Sequence, residues 1–272
     1  MKGAAKLAVE DVSKSFRVRG SGGAAATLLP VLRHVGFEVA AGEIVSLIGE
    51  SGCGKTTLLR IVQGLVRRDA GTIRVDGATV EGAGRDRGFV FQQPSLLPWR
   101  SARQNVEFGL ELQGVDRAER ARRADALLAL VGLAAAAGQY PHELSGGMQQ
   151  RIGLARALAI EPEILLMDEP FSALDAQTRE VLQAELLRIQ AETAKTILFV
   201  THDLDEAIYL SDRVVVMAAR PGRVRTIIDI PFAKPRPALP RLRGEPEFQR
   251  IREEMWSLIR STPPGAAVEP AA

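Results

Sequence analysis

A phosphate-binding chemistry is written at residues 49 to 56. The apolar run Ile44-Val45-Ser46-Leu47-Ile48 leads straight into Gly49-Glu50-Ser51-Gly52-Cys53-Gly54-Lys55-Thr56, and Thr57-Leu58-Leu59-Arg60 continues as a helix. A strand, the spacing GxxxxGK[ST] and a helix together make a P-loop. Gly49, Gly52 and Gly54 let backbone N–H groups curl around a β-phosphate, and the following helix aims its positive end at the same anion. Lys55 reaches the β- and γ-phosphates, and the Thr56 hydroxyl is placed to ligate Mg²⁺. The single cysteine, Cys53, fills a position that needs a small residue.

A second chemical group stands at Asp168-Glu169, where the apolar run Ile164-Leu165-Leu166-Met167 ends. Ligands of open α/β sheets bind at the carboxyl ends of strands. Asp168 fits a magnesium-holding role and Glu169 a water-polarising one. Alone, the pair reads sooner as the solvated end of an ordinary strand; a P-loop in the same chain reverses that towards chemistry. A third segment, Leu144-Ser145-Gly146-Gly147-Met148-Gln149-Gln150-Arg151, precedes a helix that Ser145 is suited to cap. Its glycines leave N–H groups for a second anion.

The elements that position these groups follow from periodicity. Near-continuous apolar runs at 44–48, 164–167, 197–200 and 214–217 predict strands buried on both faces of a parallel sheet. Helical stretches at 56–66, 147–160, 176–191 and 204–210 alternate with them. The expected fold is therefore α/β, a P-loop NTPase core with a mainly parallel sheet. Shorter strands near 7–12, 35–39, 72–75 and 88–91 suggest a small antiparallel β layer. From Gln92 to Ile160 the chain reads as an inserted α-helical subdomain, about 93–160. Arg19-Gly20-Ser21-Gly22-Gly23-Ala24 predicts a flexible loop. A nucleotide-binding domain over 1–230 is followed by 231–272: a proline-rich linker, a helix over 247–259 and a tail.

Composition sets limits. Of 272 residues, 46% are hydrophobic and 25% charged, which places the chain among globular proteins. A formal net charge of +2, from 35 basic and 33 acidic side chains, gives no global field for gathering nucleic acid. One cysteine permits neither a disulfide framework nor a Cys-based metal site, as suits a reducing cytosol. The N-terminal residues show no export signal, and the longest apolar stretch, 126–138, falls short of the roughly 20 residues of a membrane span.

The order P-loop, LSGG, Asp168-Glu169 resembles the ABC transporter ATPase family. Gln92 in Phe89-Val90-Phe91-Gln92 resembles its Q-loop glutamine, Ser172-Ala173-Leu174-Asp175 its D-loop and His202 in Thr201-His202-Asp203 its switch histidine. Phe16 matches the aromatic that stacks on adenine. The resemblance covers Leu7 to Pro231 and implies ATP and Mg²⁺ as cofactors, in a head-to-tail homodimer. Each ATP would lie between one subunit's P-loop, including Glu50, Ser51, Cys53 and Thr57, and its partner's Ser145, Gly146 and Gly147, with Asp175 alongside. Glu169 is implied as catalytic base and His202 as a γ-phosphate contact; Gln92 would join Thr56 and Asp168 at the metal. Two departures stand out: Met148 replaces the usual glutamine, and the glycine-rich insertion lengthens the path from Phe16 to the P-loop.

Phe91-Gln92-Gln93-Pro94-Ser95-Leu96-Leu97-Pro98-Trp99 and Ala219-Arg220-Pro221-Gly222-Arg223-Val224 are similar to the nitrate, sulfonate and taurine importers within the family. That implies integral-membrane permease subunits, an extracytoplasmic solute-binding protein and peripheral attachment to the cytoplasmic face of the inner membrane. No nucleic acid partner is expected. An ABC-type ATPase acting on DNA or ribosomes is the alternative.

Overall fold

In chain order the strands are β1 (Ala5–Val18), β2 (Thr27–Ala40), β3 (Ile44–Gly49), β4 (Ala70–Val75), β5 (Ala78–Thr79), β6 (Arg87–Val90), β7 (Ile164–Asp168), β8 (Thr196–Val200), β9 (Arg213–Ala218) and β10 (Arg223–Asp229). The α-helices are α1 (Lys55–Gln63), α2 (Ala102–Leu112), α3 (Arg117–Leu130), α4 (Gly146–Ala159), α5 (Ala176–Thr193), α6 (Leu204–Leu210), α7 (Leu239–Leu242) and α8 (Pro246–Arg260). This computed structural model describes residues 5–18 and 27–260. The loop anticipated at Arg19 to Ala24 and the tail after Arg260 lie outside the described residues.

The apolar runs form the middle of a six-stranded sheet ordered β10-β9-β3-β8-β7-β6. Its first five strands from the β6 edge are parallel, and β10 closes the other edge antiparallel to β9. Every residue of β3 and of β8 is buried, as two helix-covered faces demand. In contrast, β10 alternates exposed and half-buried positions, the pattern of an edge strand, and periodicity had not marked it as a strand. A second, antiparallel sheet is ordered β2-β1-β4-β5.

The expectation for 88–91 needs correcting. Gly88 to Val90 belong not to the antiparallel layer but to β6, which runs parallel to β7 from Arg87↔Ile164 to Val90↔Met167. Four residues carry no periodicity that distinguishes one sheet from another; the packing of Gly88 decides it. A Cβ there would lie 2.9 Å from Ala157 O, so the strand nests against α4.

Helix ends follow local chemistry. Ser101 and Gln104 make a capping box on α2, and Asp116 caps α3. Gly64, at φ +83°, ends α1 before Val66, and a Cβ would collide with Gly82. Phe248, Ile251 and Met255 of α8 are fully buried and join the same apolar cluster as α6 and β9, each contributing about 1.5–3 kcal/mol. Residues 231–260 therefore pack on the core.

Candidate functional site

The P-loop wraps the start of α1. Gly54, at φ +94°, stands at the N-cap, and no side chain satisfies the first N–H groups of the helix. Lys55 is 7% exposed, and its Nζ donates to Gly49 O at 2.8 Å and Glu50 O at 3.1 Å, so a buried ammonium lies under the loop. Glycine is obligatory at two bends. A Cβ on Gly49 would come within 2.5 Å of Met217 O, and one on Gly54 within 2.6 Å of Leu32 Cδ2. Cys53 is buried, and burial pushes its thiol pKa up, consistent with filler rather than a reactive thiol. Glu50, Ser51 and Gly52 line the open rim, while Thr56 and Thr57 are half-buried.

Asp168 ends β7 beside that helix. Thr56 Oγ1 donates to Asp168 Oδ1 at 3.0 Å. Burial raises the Asp168 carboxyl above its usual range, against the opposing effect of the Thr56 bond. A desolvated carboxylate paired with a hydroxyl is a hard-oxygen donor set that suits Mg²⁺. Among the described residues no group of three or more His, Cys, Asp or Glu side chains could hold a metal; Mg²⁺ commonly takes one or two protein groups and substrate phosphates. The uncapped helix, the buried ammonium and the oxygen pair fit a magnesium-bound polyphosphate.

Glu169 follows with φ +45°, a left-handed conformation held by its N–H to Val200 O at 3.0 Å. Its Oε2 lies 2.9 Å from His202 Nδ1, so the structure joins two residues 33 positions apart. Gln92 Nε2 donates to Ser172 Oγ at 3.1 Å, and Ser172 Oγ donates to Glu169 O at 2.9 Å. Gln92, Glu169 and His202 thus meet around Ser172. Phe16 lies on β1 where it pairs with β2, 39% exposed, opposite Leu29 and below the Lys14 ammonium.

The Leu144-Ser145-Gly146-Gly147 segment faces elsewhere. Ser145 caps α4 by accepting from Met148 N at 3.3 Å, and Ser145 and Gly146 are exposed. Gly147 is buried for a different reason: a Cβ would meet Thr178 Cγ2 at 2.8 Å on α5. Asp175 caps α5 through Thr178 N at 2.9 Å, and backbone hydrogen bonds hold its carboxyl below the usual range.

Several supporting residues escaped sequence reasoning. Arg179 Nη2 donates to Leu174 O at 2.9 Å while Nη1 stands 3.7 Å from Asp203 Oδ2, tying the start of α5 to that of α6. Gln150 Nε2 donates to Phe91 O at 3.2 Å, and Arg156 to Pro94 O and Ser95 O, so α4 grips the loop carrying Gln92. A Cβ on Gly222 would fall 2.0 Å from Cys53 O; the Arg-Pro-Gly turn was visible, its proximity to the P-loop was not. Glu206, buried against Gln183 Nε2 at 2.9 Å, has a carboxyl pushed up to about 7 by burial.

Fold and site together define a P-loop ATPase cassette. Residues 32–172 match the family described as ABC transporter. The chain is 47% identical over 234 residues to the taurine import ATP-binding protein TauB of Rhizobium johnstonii, covering 85% of this chain and 89% of that protein. It is 46% identical over 233 residues to the nitrate import ATP-binding protein NrtD of Synechocystis sp., covering 84% and 88%. A dimeric ATP-binding cassette in a post-hydrolysis state, bound to ADP and Pi, is similar in structure at a TM-score of 0.71 and 32% identity, over 82% of this chain and 98% of the other. The chain belongs to the ABC transporter family, as an ATP-binding cassette that hydrolyses ATP.

Proposed function

We propose that this cassette energises an importer of small solutes such as taurine, sulfonates or nitrate, working as a head-to-tail homodimer beneath a membrane-spanning permease. One observation carries the catalytic part of the reading: the Glu169–His202 hydrogen bond stands at the same end of the sheet as the Thr56–Asp168 pair. Lys55 and the N–H groups of the P-loop bind the phosphates of ATP, assisted by contacts from Glu50, Ser51, Thr57 and, at the adenine, Phe16. Thr56 and Asp168, together with Gln92, would hold Mg²⁺, which would supply charge neutralisation to the phosphates when bound. Glu169 orients the attacking water and takes its proton at a carboxylate oxygen. His202 holds the γ-phosphate while its Nδ1 keeps Glu169 in place. Ser145 and Gly146 of the second subunit donate to the same phosphate across the dimer, with Gly147 keeping α4 close to α5.

Gln92 connects this chemistry to the outside. The loop that follows exposes Pro98 and leaves Trp99 70% exposed, and Asn105 staples it by accepting from Leu97 N and donating to Leu97 O, Arg100 O and Ser101 O. A rigidly held apolar tip suits a protein partner better than a nucleic acid, which favours a permease over DNA or ribosomes. No helix among the described residues is long and apolar enough to cross a membrane, so the proposed attachment to the cytoplasmic face is peripheral. Co-purification of tagged protein from host membranes tests the reading. The expected result is an integral-membrane permease, with ATPase activity stimulated by an extracytoplasmic binding protein and its solute. Ribosomes or DNA factors in place of a permease would overturn the importer assignment.

A further inference from the structure

His202 is only one residue from Asp203, the N-cap of α6, whose Oδ1 accepts from Asp205 N at 2.9 Å and Glu206 N at 3.2 Å. Where α6 goes, the histidine follows. With seven residues, α6 is too short to hold itself together or in place without tertiary contacts. Alongside β3 below and Arg179 and Gln183 of α5, the C-terminal segment supplies a large share of those contacts. At its start, Asp205 receives Arg243 Nε on Oδ2 at 2.7 Å and Arg252 Nε on Oδ1 at 2.8 Å. At its end, the buried Arg236 guanidinium donates to Ile208 O at 3.2 Å, to Tyr209 O and to Ser211 O at 2.6 Å. Phe248, Ile251 and Met255 pack beneath, and Arg243 also reaches Glu180 of α5 at 3.2 Å.

We infer that the C-terminal segment is a clamp that positions the switch histidine: Arg236, Arg243 and Arg252 hold α6 at both ends and so set His202 against Glu169. The His202 side chain is 64% exposed and makes one hydrogen bond to Glu169. One exposed contact of that kind contributes too little to fix a ring, so backbone placement must do it. Catalytic geometry tolerates only about half an ångström of error, which makes Arg243 and Arg252 positioning residues for turnover although they touch no substrate. Arg243 and Arg252 bond to Asp205 and Glu180 rather than to β3 and α1, which build the P-loop, so binding and turnover separate.

The inference rests on the assignment of His202 to the γ-phosphate, and the test keeps the two apart. In the full chain, Arg243→Ala/Arg252→Ala lowers kcat about tenfold while KM for ATP stays within about twofold. Only three histidines exist, His34, His142 and His202, so imidazole NMR resolves them. The His202 signal shifts in the double variant and the other two do not. Asp205→Ala gives most of the same loss, and combining it with the arginine changes adds little, because both arginines converge on that carboxylate. Arg243→Lys/Arg252→Lys restores part of kcat. Arg250→Ala, which removes pairs with Glu247 and Glu254 on the exposed face of α8, changes nothing. If His202→Ala leaves turnover intact, the site assignment fails. If His202→Ala abolishes turnover while the double arginine variant keeps wild-type kcat, or loses kcat with the His202 signal unmoved, the clamp is refuted and the assignment stands.

Discussion

Two helix starts in this molecule follow glycine-rich segments, and they are finished to different degrees. At α1 no side chain caps the helix, Gly54 takes a left-handed turn, and Lys55, Thr56 and Asp168 converge from the same chain. At α4 the Ser145 hydroxyl is used on its own helix, and Ser145 and Gly146 face outward. Similar glycine-rich sequences therefore do different work. The first start carries its own ammonium and a carboxylate–hydroxyl pair; the second offers outward-facing donors only, which is what the proposed site shared between two subunits requires.

The contrast breaks most sharply at Lys55. Lys55→Ala weakens ATP binding by about a hundredfold or more, roughly 2.7 kcal/mol, because the one buried ammonium at the loop is removed. Calorimetry that found wild-type affinity would undo the assignment of α1. Gly146→Asp probes the other start. Its Cβ meets nothing closer than Leu174 Cδ2 at 3.9 Å, so the fold accommodates it, and an acid in the first turn of a helix is tolerated. ATP affinity of the isolated chain stays unchanged while turnover falls about tenfold to a hundredfold, since in the proposed dimer a carboxylate would face the partner's phosphate. Equal loss of affinity in both variants would mean that the two starts serve one site within a chain.

An effect on stability alone, with none on the chemistry, lies behind the completed site, at Glu206. Its folded-state carboxyl is pushed up to about 7 from 4.5, so folding favours the protonated acid. That contribution is fully present below about pH 4.5 and is lost as pH rises through 7. Glu206→Gln keeps an acceptor for Gln183 without the charge. Chemical denaturation should show it more stable than the parent by roughly 3 kcal/mol at pH 8 and indistinguishable at pH 4. A gain that is independent of pH would show that Glu206 is not the group being titrated.

Much of the completed site was legible because its parts are local. The P-loop needs a strand, glycines at fixed offsets and a helix, all within residues 44 to 60. Asp168 and Glu169 stood out as acids ending an apolar run. His202 was placed at the site only through family resemblance, and its hydrogen bond to Glu169 was not anticipated, since no spacing rule connects residues after β7 and after β8. The roles of Arg179, Gln150 and Gly222 went unseen for the same reason: their partners Asp203, Phe91 and Cys53 lie far away in sequence, and an arginine or glutamine on a helix looks like any solvated side chain.

Sequence alone determined the parallel core, the phosphate loop and the acids at the strand end, because burial on two faces and close backbone approach to phosphate restrict which residue types can stand where. Tertiary structure decided the sheet to which Gly88 to Val90 belong, the existence of edge strand β10 and the hold of Arg236, Arg243 and Arg252 on α6. Hydrogen-bond partners between distant segments are chosen by packing, and packing leaves no periodic trace in the chain.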